Sequence, residues 1–197
     1  MEPRAKRYFR DYEPTIVHTP DGSPKKVWRY RGDYYVKQQL PAGGRKRLFA
    51  IYVGVSLAAL ALLVFANSRN VACNRGGAFA AAGLVAMLPA ACVVIGSVLG
   101  LCAPDKLTRS AYVEQRVLVR ACPAIAAVFC LVLAFGFGQN AVRYASTELL
   151  DSGVACACVA LACIGHGGIA LLEWRTPYEI LKNEGASKEE GEETDAI

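Results

Sequence analysis

The sequence predicts an all-α membrane protein: a four-transmembrane-helix bundle with a small N-terminal β-meander segment. Three observations predict it. Charge and apolarity are segregated, so a chain that is 54% apolar and 20% charged contains four long stretches without a single Lys, Arg, Asp or Glu. Each of these stretches (residues 48–66, 77–102, 121–138 and 153–172) is close to the roughly 20 residues that cross a bilayer core of about 30 Å. They are apolar all round, which suits a lipid solvent, and too long to be buried strands, which run to about 4–8 residues. Ahead of them lies a polar segment in which β-branched and aromatic residues alternate with charges.

Three parts follow: a basic aromatic segment over residues 1–47, the helical domain over 48–172, and an acidic tail over 173–197. In the first, Thr15–His18, Lys26–Tyr30 and Tyr34–Lys37 are separated by Pro/Asp/Gly turn chemistry and read as two or three strands. The intervening Arg31-Gly32-Asp33 triplet reads as a turn. Twelve basic residues here face five acidic ones and end in Arg45-Lys46-Arg47 at the membrane surface. Such charge beside a membrane helix points to anionic lipid head groups rather than nucleic acid. No apolar signal sequence opens the chain, so the first span is expected to be an uncleaved anchor. The tail carries Glu189, Glu190, Glu192, Glu193 and Asp195 and is expected to be disordered.

The first span, rich in Leu, Val and Phe, is expected to face lipid. The second has Pro89 at its middle, where a kink is expected, and Gly96 and Gly100 on one face, where a neighbour can approach. The third is short and carries Pro123 near its start. The fourth carries Gly165 among other small residues, and spans two and four are expected to fill the interior.

Basic residues divide as nineteen on the side of the termini against three in the two loops 67–76 and 139–152. By the positive-inside rule both termini are expected in the cytoplasm. The chain holds no glycosylation sequon of the Asn-x-Ser/Thr type.

Seven of the eight cysteines lie in or at the edge of spans, where cysteine packs as a small apolar residue. Cys156 and Cys158 point about 200° apart on a helix, so they cannot both face one metal. No metal or other cofactor is expected. His166 is the one non-thiol ionisable residue well inside a span, and hence the ligand or proton candidate, against the alternative of a neutral structural histidine. It lies roughly 10 Å along the helix from Glu173.

Each pair of spans is followed by an Arg-x-x-Tyr element, Arg109–Tyr112 and Arg175–Tyr178, which raises the possibility of two related hairpins. The aromatic-basic run Trp28–Tyr35 and the Thr108–Tyr112 element resemble those of uncharacterised bacterial four-span membrane proteins. The resemblance implies a multi-pass protein of a bacterial cell membrane; it carries no known activity and transfers no site residues. With no catalytic set in the sequence, the expected function is a non-enzymatic scaffold, accessory or complex subunit with a cytoplasmic interaction face. Its expected partners are the bilayer, anionic lipid, and a protein or a second copy of the chain. The alternative is a small-solute or proton-coupled transporter, or a subunit of one, using a cavity near Pro89 and His166.

Overall fold

The computed structural model describes residues 11–19, 23–37, 40, 43–144 and 147–183. The acidic run after residue 183, the turn residues 20–22 and the aromatics Tyr8 and Phe9 lie outside the described residues. The chain forms two compact units, one from residues 1–38, 104–113 and 178–197, the other from 39–103 and 114–177.

The larger unit is the helical bundle. Helix α1 (Gly44–Ser68) starts after Gly43, whose left-handed backbone (φ 77°) favours glycine. A short α2 (Ala72–Arg75) leads to α3 (Gly77–Cys102), which runs unbroken through Pro89. The third span begins as α4 (Arg109–Arg116), passes through a π turn (Val117–Ala121) and continues as α5 (Cys122–Arg143). Helix α6 (Leu149–Arg175) completes the set. Four helical stretches are long and apolar enough to cross a membrane: 44–68, 77–102, 109–143 and 149–175. At 1.5 Å per residue even the 25 residues of α1 reach about 38 Å, beyond the bilayer core of about 30 Å. The chain is therefore a multi-pass membrane protein.

The third span begins well before residue 121. Pro123 does not start the helix; it sits inside it. Proline lacks an N–H and crowds the preceding turn. The backbone answers with a wider turn, in which the N–H of Cys122 bonds the carbonyl of Val117.

Helix α1 packs on α3 and α6, and α5 packs on the same two, closing a four-cornered antiparallel ring. Each helix sends in a row spaced by three or four residues. On α1 the row is Arg45, Phe49, Tyr52, Ser56, Ala59, Leu63 and Ala66. The first span is thus not the lipid-facing one, and spans two and four are not an inner pair. About a third of each span is buried, because a four-cornered ring gives every helix one inward face. On α1, Ile51, Leu57 and Val64 fall on outward faces, while Leu63 turns inward.

In the smaller unit, β1 (Tyr12–His18) pairs antiparallel with β2 (Pro24–Tyr30), Tyr12 opposite Tyr30 and His18 opposite Pro24. The meander stops there. Strand β3 (Tyr34–Lys37) pairs instead with β4 (Tyr178–Leu181), Tyr34 opposite Leu181. The Tyr30 hydroxyl donates to the Asp33 carbonyl across the Arg31–Asp33 bend, turning the chain out of the first ladder. Of the tail assigned to residues 173–197, the first residues complete α6 and residues 178–181 form β4.

Candidate functional site

For orientation, the base of the bundle is the end bearing Gly44, Cys102 and Arg175; the loop end is the other. The inward rows are apolar through the middle of the bundle: Ala59, Leu63, Ala86, Ala90, Ala126, Cys130, Leu133, Val159 and Ala162. The base-side half adds polar groups to an apolar cluster of Phe49, Val93, Val119 and Ile169. Tyr52, Ser56, Ser97, Gln115, His166 and Glu173 are all buried there.

His166 is fully enclosed, at 0% exposure, and neither ring nitrogen has a hydrogen-bond partner among the described residues. Its neighbour Gly165 lies against Val55 and Ala59 of α1. Asn67 against Gly83, and Phe49 against Gly100, set the α1–α3 register. Together these place His166 level with Val93, about one helical turn toward the base from Pro89. The two candidates share a region without sharing a level.

At the base, Arg45 parts company with Lys46 and Arg47. Those two are exposed at the surface. Arg45 is on the inward row, one turn before Phe49, and is only 5% exposed. Its Nη2 donates to the Gly100 carbonyl and its Nη1 to that of Ala103, both at 3.0 Å, satisfying carbonyls at the end of α3. Arg45 therefore caps the end of α3, and helical phase turns it inward where Lys46 and Arg47 face out. Beside it, Gln115 is buried with neither amide atom hydrogen-bonded among the described residues.

The glycines mark close approaches. A Cβ on Gly96 would lie 2.5 Å from the Cβ of Leu118, and one on Gly100 would strike the Phe49 ring and the Gln115 amide. One on Gly165 would meet Val55 at 3.2 Å, whereas Gly167 and Gly168 have open space.

The cysteines act mainly through packing. The thiols of Cys156 and Cys163, seven residues apart, donate to the carbonyls of Ala134 and Ala127, also seven apart, tying α6 to α5. In the loop, burial pushes the Cys73 thiol above its ordinary 9.0, away from a reactive thiolate. Among the described residues no group of three or more His, Cys, Asp or Glu is placed to hold a metal.

A polar network at the loop end was not anticipated. Glu148 accepts from the Ala72 backbone N–H at 2.7 Å, from Asn140 at 3.1 Å, and from Arg75. Asn140 also donates to the buried Ser152 hydroxyl at 2.7 Å. Arg69 pairs with Asp151 at 3.4 Å, and the Asn74 amide donates to three carbonyls at the end of α1. The Ala72 and Asn140 hydrogen bonds, with Arg75 adding its charge, hold the Glu148 carboxyl below its ordinary 4.5. The available signal was complementary charge: basic residues in one loop and acidic ones at the start of the last helix.

The smaller unit gathers tyrosines. Tyr35 bonds Leu107 in both backbone directions, at 2.9 and 3.0 Å, and its ring stacks on Tyr112 at 4.2 Å. Tyr178 meets Tyr112 edge-on at 5.0 Å, so both tyrosines of the Arg-x-x-Tyr elements enter one cluster. Tyr30 accepts from the Arg109 backbone N–H and packs between Tyr12 and Tyr34. The β1–β2 ribbon, by contrast, exposes Trp28 at 54% and Ile16 at 67%. Compared with family models, with curated proteins and with solved structures, the chain matches none.

Proposed function

We propose that this chain is a non-catalytic membrane scaffold, accessory or complex subunit of a bacterial cell membrane, whose interaction face is the β1–β2 ribbon. The observation that carries this reading is the exposed Trp28–Ile16 face outside the spans. Residues two apart and cross-strand partners share a face. One face of the ribbon therefore bears Tyr12, Pro14 and Ile16 with Lys26, Trp28 and Tyr30. Lys26 lies 5.5 Å over the Trp28 ring. An exposed tryptophan with an adjacent cation is the composition of an interface anchor, since a large aromatic buries much area at small entropic cost. Basic excess on the terminal side supports cytoplasmic termini, with Lys46 and Arg47 toward anionic head groups.

The test is a photo-crosslinking residue at position 16 or 28 of the full chain in native membranes. A discrete protein adduct, lost when Trp28 or Ile16 respectively is replaced by Ser, supports the reading. Lipid adducts alone, or none, refute it.

A second reading has one observation in its favour: an enclosed histidine with two unpartnered nitrogens is expensive in a membrane and is a default functional candidate. On this reading the chain is a small-solute or proton-coupled transporter, or a subunit of one. Proton flux in proteoliposomes that is lost in His166→Ala at equal reconstitution supports it; unchanged flux removes that residue from it.

A further inference from the structure

In His166 and Gln115 every side-chain polar atom is buried without a hydrogen-bond partner among the described residues. Neutral imidazole has one donor and one acceptor, and a primary amide has both. Leaving such groups unmet is costly, and lipid offers no substitute. The two sit at different depths. Gln115 lies at the base against Gly100. The register of Cys163 on Ala127 extends to put His166 opposite Ala124, beside Pro123. Nine residues, about 13 Å of helix, separate those levels. The π turn Val117–Ala121 lies within that interval.

This stretch is rich in acceptors. Pro123 has no N–H, so a carbonyl one turn before it lacks its helical donor. The Ser97 hydroxyl donates to Val93 at 2.7 Å and the Ser56 hydroxyl to Val53 at 3.2 Å, which leaves their lone pairs open. A small molecule that both donates and accepts would satisfy these groups together with His166. Water has that capacity and the smallest size.

We propose that water enters the bundle from the Gln115 end along the π turn and is the hydrogen-bond partner of His166. The imidazole is enclosed in the packed state, so access is transient. The element that yields is the π turn, whose wide hydrogen bonding is less regular and whose Leu118 backbone lies against Gly96. The path ends at His166, because the interior beyond it consists of Ala59, Leu63, Ala90, Ala126, Cys130 and Val159. This holds whether or not anything is transported.

The test uses the full chain, labelled with ¹⁵N-histidine, in bilayers, and solid-state NMR transfer of magnetisation from water protons to the ring nitrogens. The chain has two histidines, so a His18→Gln variant assigns the signal. The expected result is transfer to His166 several-fold faster from water than from lipid acyl chains. Pro123→Ala restores the missing N–H and should slow the water transfer several-fold; Gln115→Leu should do so independently. Water transfer no faster than acyl-chain transfer overturns the proposal, as does a rate unchanged in both variants. Fast water transfer with no proton flux would leave this inference standing while removing the transport reading.

Discussion

Replacing Gly96 and Gly168 separately by alanine isolates what the helix contacts contribute. Both glycines lie within apolar helices, and alanine raises helix propensity at either by up to about 1 kcal/mol. That gain is common to the pair and cancels in the comparison. What differs is the space. At Gly96 the new methyl would lie 2.5 Å from the Leu118 Cβ, 3.0 Å from Val119 and 3.2 Å from the Leu118 backbone. Backbone cannot swing aside as a side-chain tip can. At Gly168 nothing lies within 4 Å. Overpacking of this kind costs about 1–3 kcal/mol, a factor of roughly five to 150 in the folding equilibrium. The assay is reversible unfolding in bicelles by titration with a denaturing detergent, followed by circular dichroism. Gly96→Ala should unfold at lower detergent than Gly168→Ala by that margin, with Gly165→Ala, at 3.2 Å from Val55, between them. Equal midpoints for Gly96→Ala and Gly168→Ala would refute the packing assignment.

Two further outcomes are expected. Glu148 has a native pKa below its ordinary 4.5, so its contribution is fully present above that value and is lost as pH falls through the native pKa. The difference in melting temperature between the wild type and Glu148→Gln should be largest near neutral pH and close below pH 4.5; a difference constant with pH would sink this account. In the smaller unit, Tyr112→Ala removes the ring stacked on Tyr35 and edge-on to Tyr178, each pair contributing about 0.5–1.5 kcal/mol beyond its burial. Tryptic cleavage after the buried Lys37 should accelerate in Tyr112→Ala but not in Tyr112→Phe; equal rates in the two variants would count against the cluster.

The residues differ in how much of this was legible in advance. The four spans and the turn at Arg31–Asp33 follow from local composition, which acts over a handful of residues. Gly96 and Gly100 were legible as close approaches from their spacing, though Gly165 could not be told from Gly167 and Gly168, because only the neighbouring helix distinguishes them. His166 was legible as the odd residue of its span, and the absence of a hydrogen-bond partner was not. Arg45 was grouped with Lys46 and Arg47 because the three are adjacent, yet a helix turns by about 100° per residue and delivers one of them inward.

The sequence by itself determined that the chain occupies a bilayer, how many times it crosses, and where charge is excluded. Those are free energies of transfer, which depend on each segment's own composition. Only the tertiary structure decided which face of each helix turns inward, that β3 takes its partner from beyond the last span, and that Glu148 collects donors from two other elements. It also decided that buried polar groups gather at both ends of the bundle, around Gln115 and His166 at one and Asn140 and Ser152 at the other, with apolar residues between. Each of these depends on pairing between residues far apart in the chain, and a one-dimensional pattern carries no register between distant segments.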